Sequence, residues 1–259
     1  MKKKYKERML HVKHQKRNDF TTRLFEQAEI SKGMRVLDVG CATGEVSQLV
    51  AEMVGTEGEV VGIDASQQMI ELAQENNPGS NITYLQQDIY DLPENLGQFD
   101  AIVGRRVLMY LPDPERALQL LIQHLKPNGI IAFQESDAIN GGTGGDHLPR
   151  HQEAIQRVWK TVQAEGGDIH IGQKLYDLFL RLGIETPHVD AEAVMQTAED
   201  NDLQWLTEMM IERMRAHHIV DDDFTLDQFK QEMTEEAEEN KAAFIRDINF
   251  GIWGHTPFL

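Results

Sequence analysis

A turn of small residues at positions 38–44 has the clearest chemical meaning in this sequence. It reads DVGCATG and overlaps the end of a short apolar run at 35–39. Glycine and alanine let a backbone approach a ligand closely, and the free N–H groups of the helix that follows attract polar ligand atoms. We therefore expect a nucleotide-like ligand at this turn. The residues expected to contact it are Asp38, Gly40, Cys41, Ala42 and Gly44.

Acidic residues end the next two apolar runs. Asp64 lies twenty residues after Gly44, and its carboxylate can accept hydrogen bonds from the vicinal hydroxyls of a ribose. Asp88 follows the third run, with Ile89 and Met69 as apolar neighbours for a purine ring. Either acid alone also fits a helix cap or a turn, and that interpretation stays open. Placed after successive runs, the turn and the two acids together predict an adenosine site.

The chain that must position these residues alternates between strand-like and helix-like segments. Apolar runs of strand length occur at 35–39, 60–63, 82–85, 99–103 and 130–133, with two later strands expected at 186–194 and 248–253. Helical periodicity separates the first five runs, which predicts an α/β fold with a doubly wound parallel sheet. Ligands of such sheets bind outside the carboxyl ends of the strands, where the turn and the acids lie.

The domain organisation is expected to be a helical preface followed by one domain. Residues 1–33 form the preface, and residues 34–259 form the domain with its core at 34–137. Helical inserts are expected at about 146–170 and 200–245, after a glycine-rich connection. The inserts fit a cover over the site, and a surface decoration is the open alternative.

Charge and composition exclude several classes of protein. The formal net charge is −18, although residues 1–17 carry eight basic side chains and one acidic one. The acidic body would repel a nucleic-acid backbone, so nucleic acid is not the expected partner. No apolar segment is long enough to cross a membrane, and no secretion signal is visible, so a cytoplasmic location is expected. A single cysteine cannot form an internal disulfide.

A dinucleotide such as NAD is the alternative ligand. Its fingerprint, G-x-G-x-x-G, has glycine where this chain has Ala42 and Ser47. Two of three glycines are therefore missing, and a phosphate loop ending in Gly-Lys-Ser/Thr is absent from the sequence as well.

On these residues the sequence resembles the class I S-adenosylmethionine-dependent methyltransferases. The segments that carry the resemblance are VLDVGCATG at 36–44, VGID at 61–64, DI at 88–89, FDAI at 99–102 and LKPNG at 125–129. The resemblance implies a Rossmann-like sheet of seven strands with the last strand antiparallel, and S-adenosylmethionine as the cofactor. The sequence departs from the family at Ala42, where the family commonly has glycine. Because alanine is small we expect it to be tolerated there, although a left-handed backbone would strain it.

The resemblance further implies a role for each site residue. The turn lies against the methionine part of the cofactor, Asp64 takes the ribose, and Asp88 with Ile89 flanks the adenine. Arg105, after the fourth strand, lies by the methionine part and can pair with its carboxylate. The complete set of expected cofactor contacts is Asp38, Gly40, Cys41, Ala42, Gly44, Asp64, Ala65, Met69, Asp88, Ile89 and Arg105.

The catalytic demands of methyl transfer are small. The enzyme aligns the sulfonium methyl with a nucleophile in a water-poor pocket, and a general base is needed only for a protonated acceptor. No residue is assigned as the base. The candidates, which follow strands four and five, are Arg105, Arg106, Tyr110, Glu135 and Asp137.

Three sequence features narrow the acceptor. The Asn/Asp-Pro-Pro-Tyr/Phe motif of adenine and glutamine methyltransferases is replaced by GRRV at 104–107. Cys41, the only thiol, lies in the turn and is read as a small buried residue, which argues against cytosine-carbon methylation. His147 and His151 have metal-ligand spacing but no evident third ligand, so no metal is expected.

The sequence therefore predicts an S-adenosylmethionine-dependent methyltransferase with a small-molecule acceptor and no membrane partner, and carries no signal for the oligomeric state. Three alternatives remain open: a protein or RNA methyltransferase, an NAD-dependent oxidoreductase, and a non-catalytic adenosylmethionine-binding module.

Overall fold

The computed structural model describes residues 16–77, 81–139, 147–184 and 186–257. The helices are α1 (Lys16–Gln27), α2 (Glu45–Val54), α3 (Gln67–Asn76), α4 (Pro114–Ile122), α5 (Pro149–Ala164), α6 (Leu175–Arg181), α7 (Leu203–Ala216) and α8 (Leu226–Glu239). The strands are β1 (Arg35–Val39), β2 (Glu59–Asp64), β3 (Ile82–Gln86), β4 (Phe99–Arg105), β5 (Leu125–Asp137), β6 (His188–Thr197) and β7 (Ala243–His255).

The seven strands form one sheet in the order β3-β2-β1-β4-β5-β7-β6. Strands β1 to β5 pair in parallel, with Val39 opposite Ile63 of β2 and Gly104 of β4. The order reverses at β1, so the carboxyl end of β1 is the ligand-binding edge of the fold. The last strand is antiparallel, since Thr256 pairs with Gly129 at one end and Asn249 with Ser136 further along. The predicted fold class is therefore confirmed.

Helices α1 and α2 pack on one face of the sheet because their apolar residues recur at helical spacing. Phe25 of α1, Ala28 directly after it and Val50 of α2 are fully buried in this layer, against Val36 of β1 and Ala101 of β4. This packing fixes the start of α2, and with it the turn that joins β1 to α2.

The chain divides into two compact units. The first comprises residues 1–135, 174–190 and 251–259, and the second comprises 136–173 and 191–250. The second unit contains α5, α7 and α8, so both predicted inserts are helical; their role as a cover stays a prediction. Residues 1–15 of the predicted preface and the whole glycine-rich connection lie outside the described residues.

Strand β5 is longer than the run at 130–133 predicts. It continues through four polar residues, of which Glu135 and Asp137 are fully buried. Polar residues continue a buried strand only where each has a hydrogen-bonding partner, and the sequence alone does not show those partners. Gln134 accepts the Thr21 hydroxyl at 2.6 Å, and the Ser136 hydroxyl is 3.2 Å from Asn249 Oδ1.

Candidate active site

The turn between β1 and α2 contains three residues with left-handed backbone. Gly40, Ala42 and Gly44 have φ of 64°, 46° and 83°. The turn is closed by hydrogen bonds from Cys41 N to Ile63 O at 2.9 Å and from Gly44 N to Cys41 O at 2.8 Å. An alanine in this region has a crowded Cβ, so Ala42 is strained as the sequence predicts.

Asp64, at the end of β2, contacts the turn directly. Its Oδ2 accepts the Ala42 N–H at 3.1 Å, and its Oδ1 accepts the Ser66 N–H at 2.9 Å. Asp64 therefore stabilises the local turn at Ser66 and also holds the backbone of the strained Ala42. A carboxylate offers about four lone-pair positions, so each oxygen keeps acceptor capacity for a ribose hydroxyl.

Asp88 lies beyond β3, next to the end of β2. In the β2–β3 register Asp64 is opposite Gln86, and Asp88 follows two residues later. Its Oδ1 accepts the Tyr90 N–H at 2.9 Å, so it too forms a local turn. Ile89 is buried, and Met69 is half-buried at the start of α3, while Ala65 is exposed. Thus Asp64 and Asp88 belong to adjacent strand ends.

Arg105 ends β4, one residue beyond the partner of Val39 in the β1–β4 register. Its Nη2 forms an ion pair with Glu45 Oε2 at 2.7 Å, and its Nη1 donates to the Thr21 hydroxyl at 3.3 Å. Glu45 is the first residue of α2 and directly follows Gly44. The proposed pairing of Arg105 with a cofactor carboxylate stays a prediction, and the guanidinium would have to share its donors with Glu45.

Asp38 lies beneath the turn and is buried. Burial raises the pKa of Asp38 from its ordinary value of 3.8 to about 7, opposed by the Ser47 hydrogen bond and the Arg105 charge. Ser47 Oγ donates to Asp38 Oδ2 at 2.5 Å and is itself fully buried. The serine at the third glycine position of the dinucleotide fingerprint therefore has a structural function of its own.

Glu135 forms hydrogen bonds with the backbone that follows β4. Its carboxylate accepts the N–H groups of Val107, Leu108 and Met109 at 3.0, 2.8 and 3.4 Å. Burial nevertheless raises its pKa to about 7, because the loss of hydration outweighs these bonds. Since the lone pairs already hold three N–H donors, Glu135 is a poor candidate for the base.

Of the remaining base candidates, the Asp137 carboxylate is held by hydrogen bonds, whereas the Tyr110 side chain is exposed. Asp137, in the second unit, accepts the Gln173 N–H at 3.2 Å and faces His170 Nδ1 at 3.1 Å. Tyr110 is 51% exposed. Arg106 has a left-handed backbone, with φ of 57°, where the chain leaves β4.

The predicted roles of the cysteine and of one histidine can be compared with the structure. Cys41 is a free, buried thiol, as predicted, and burial raises its pKa above the ordinary range. His151 is buried in the second unit, where its Nδ1 lies 2.6 Å from Glu236 and its Nε2 lies 3.3 Å from Ala198 O. Within the described ranges, no three His, Cys, Asp or Glu residues are arranged to hold a metal ion.

Some residues around the site were not singled out from the sequence. Glu45, Asn77 and Tyr84 each contact the turn or a residue of the site. Tyr84 has the pattern of an ordinary strand aromatic, and Asn77 that of a helix end, so only the three-dimensional contacts distinguish them. The one available signal was position, since Glu45 directly follows the last glycine of the turn.

Comparison with known proteins identifies the family. The family model described as a methyltransferase domain matches residues 30–255. The demethylmenaquinone methyltransferase of Staphylococcus carnosus is 30% identical over 59% of this chain and 61% of its own. The ubiquinone biosynthesis O-methyltransferase of Coxiella burnetii is 34% identical over 45% of this chain and 49% of its own. The chain thus spans about half to three-fifths of the length of these relatives.

A solved structure shows the same fold. The YcgJ protein of Bacillus subtilis superposes with a TM-score of 0.58 over 90% of this chain and 97% of its own, at 16% identity. No helix in the described part of the chain is both long and apolar enough to cross a membrane. The family match, the strand order and the residues at the carboxyl ends of β1 and β2 agree, and the chain belongs to the class I S-adenosylmethionine-dependent methyltransferases.

Proposed function

We propose that the chain transfers the methyl group of S-adenosylmethionine to a small-molecule acceptor. The observation that carries this proposal is the direct link between the first turn and Asp64. The carboxylate that would receive the ribose also holds Ala42 in the turn that would receive the methionine part. The expected sites for the ribose and for the methionine part of the cofactor are thus joined by one hydrogen bond.

The residues present fit this cofactor. Asp64 keeps free lone pairs on both oxygens after its two backbone bonds, as a ribose diol requires. Met69, which is half-buried, offers apolar surface for a purine, and Arg105 offers a cation for a carboxylate. When bound, the cofactor supplies an electrophilic methyl group, and these residues hold and orient it.

The close packing behind the turn supports the same assignment. A Cβ added at Gly40 would lie 2.5 Å from Val107 Cγ2, so only glycine fits between β1 and the end of β4. The turn is therefore fixed against the end of β4 at the carboxyl edge of the sheet, where Asp64 accepts the Ala42 N–H. The chain therefore acts mainly by alignment and exclusion of water.

The names of the relatives support an aromatic acceptor of the quinone type. The relative in Staphylococcus carnosus is named a demethylmenaquinone methyltransferase, and the relative in Coxiella burnetii a ubiquinone biosynthesis O-methyltransferase. The methylated atom, oxygen or carbon, differs between such reactions. We therefore propose hydroxylated aromatic rings as the first acceptor class to test.

The first experiment measures the melting temperature with S-adenosylhomocysteine, S-adenosylmethionine and NAD added separately. A ligand at 100 times its dissociation constant stabilises a protein by about 2.7 kcal/mol. We expect both adenosyl compounds to raise the melting temperature and NAD to leave it unchanged. Asp64→Ala should abolish the response, whereas Asp190→Ala, on exposed β6, should keep it. A response to NAD alone would support the oxidoreductase alternative.

The second experiment measures transfer of a radiolabelled methyl group to a panel of hydroxylated quinols, a protein extract and RNA. Labelling of the quinols alone supports the small-molecule assignment. Labelling of protein or RNA would overturn it, and cofactor binding without any transfer would indicate a non-catalytic binding module.

A further inference from the structure

Tyr84 of β3 lies under the first turn although it is two strands away in the sheet. A Cβ added at Gly62 would lie 2.8 Å from Tyr84 Cδ1, and one added at Gly44 would lie 2.4 Å from its hydroxyl oxygen. The ring therefore crosses the β2 backbone at one glycine and reaches the turn at another. Gly62 is required by side-chain packing alone, and Gly44 by this side chain and by its left-handed backbone.

Asn77, which follows α3, holds the same part of the turn from the side. Its Nδ2 donates to Thr43 O at 2.9 Å and to Ala73 O at 3.3 Å. The same nitrogen lies 2.5 Å from the position of a Cβ at Gly44. Asn77 is 6% exposed, so this bond forms away from water and fixes the Thr43 peptide.

The environment of Tyr84 makes it a rigid support. Tyr84 is 7% exposed and packs with Cys41, Ile70 and Ala73. Burial raises the pKa of the phenol above its usual range, so the hydroxyl stays neutral. The hydroxyl lies beside Ser47 and Asn77, whose side-chain hydrogen bonds oppose this rise in pKa. The hydroxyl therefore faces both Gly44 and Asn77, the residue that holds the Thr43 carbonyl.

We infer that Tyr84 and Asn77 are positioning residues that fix the Thr43-Gly44 segment of the turn in the form that receives the methionine part of the cofactor. This inference rests on the proposed function. Asp64 contacts the turn at another residue, through the N–H of Ala42. The support and the ribose clamp therefore act on different parts of the ligand.

This separation predicts a selective loss of affinity. A variant that loosens residues 43–44 weakens ligands that carry the amino-acid part and leaves an adenosine fragment unaffected. General destabilisation would weaken both kinds of ligand together. The ratio of the two affinities thus distinguishes positioning from a merely structural role.

The test compares S-adenosylhomocysteine with 5′-methylthioadenosine, which lacks the amino-acid part, by calorimetric titration of the full chain. In Tyr84→Phe the ring remains and only the hydroxyl against Gly44 is lost. In Asn77→Asp the donor to Thr43 O is replaced by an acceptor. We expect each variant to bind S-adenosylhomocysteine at least five-fold more weakly and 5′-methylthioadenosine within two-fold of wild type. Tyr176→Phe, on the exposed face of α6, is the matched control and should bind both normally.

The outcomes separate the two proposals. Equal losses for both ligands, or no loss in either variant, overturn the positioning role while the cofactor assignment stands. Failure of the wild-type chain to bind S-adenosylhomocysteine overturns the cofactor assignment and this inference with it. If Asn77→Asp does not fold, Tyr84→Phe decides the result, because it removes only one oxygen atom.

Discussion

The Asp64 carboxylate accepts the backbone N–H of Ala42 at 3.1 Å, and this bond joins the ends of β1 and β2. Ala42 occupies a left-handed conformation that costs an alanine about 1–2 kcal/mol. The hydrogen bond from an acid on the neighbouring strand helps to offset that cost. One acid therefore maintains the turn and remains available to a ligand.

The first prediction concerns this pair. Asp64→Asn leaves one oxygen for two backbone N–H groups, so its NH₂ group faces the N–H of either Ala42 or Ser66, and one acceptor for a diol is lost. We expect S-adenosylhomocysteine to bind at least ten-fold more weakly, about 1.4 kcal/mol, in calorimetric titration. Asp190→Asn is the control. Unchanged affinity in Asp64→Asn would show that the ribose is held elsewhere.

The second prediction concerns the strain at Ala42. Ala42→Gly removes the crowded Cβ but increases the conformational entropy of the unfolded chain, so the two effects partly cancel. We expect the free energy of unfolding to rise by about 0.5–1 kcal/mol, measured by urea denaturation. Ala191→Gly in exposed β6, which has no positive φ to relieve, should lower it instead. A loss of stability in Ala42→Gly would contradict the assignment of strain.

How far the sequence predicts this molecule depends on the kind of signal. Strand β1 is found at the predicted residues because a short apolar run bounded by glycine has few other interpretations. Asp113 caps α4 through Arg116 N at 3.0 Å, with Pro114 as the first residue, as the Asp-Pro pair predicts. Local sequence signals of this kind are sufficient to predict these elements of the core.

Contacts between residues that are far apart in the sequence could not be predicted. Glu135 continues β5 because the N–H groups of residues 107–109 satisfy it, and nothing near Glu135 in sequence indicates this. In the sequence Tyr84 is typical of a core aromatic residue, and only its closeness to Gly44 in the structure indicates a role at the turn. Among the predicted site residues, the Asp64–Ala42 bond is a contact between two of them, whereas Arg105 is paired with Glu45, which was not predicted.

The third prediction concerns pH. The pKa of Asp38 is raised by burial from 3.8 to about 7, so between these values the folded state holds a proton that the unfolded state has lost. Stability must then fall as the pH rises from about 4 to about 7 and level off above that range, by at most about 1.4 kcal/mol per pH unit for this group. Glu135, raised to about 7 as well, acts with the same sign.

Asp38→Asn removes one of these two titrations. We expect urea denaturation at pH 5, 6, 7 and 8 to show a smaller decline for the variant than for wild type. Glu71→Gln, an exposed change on α3, should keep the wild-type slope. A decline that is as steep in Asp38→Asn as in wild type would contradict the raised pKa of Asp38.

The last prediction concerns the second unit, where Glu236 of α8 caps the start of α5. Its carboxylate accepts the backbone N–H groups of Arg150 at 2.8 Å and His151 at 3.1 Å, and it contacts His151 Nδ1 at 2.6 Å. Because His151 is almost fully buried, Glu236→Ala leaves its ring nitrogen and two helix N–H groups without their acceptor. The expected cost is about 3–5 kcal/mol of unfolding free energy, measured by chemical denaturation.

Glu232, which pairs with Arg150 at 30% exposure, is the matched control, and its replacement by alanine should cost less than about 1 kcal/mol. Similar losses for the two variants would show that the acid acts as a surface charge and that α5 does not depend on it for its cap.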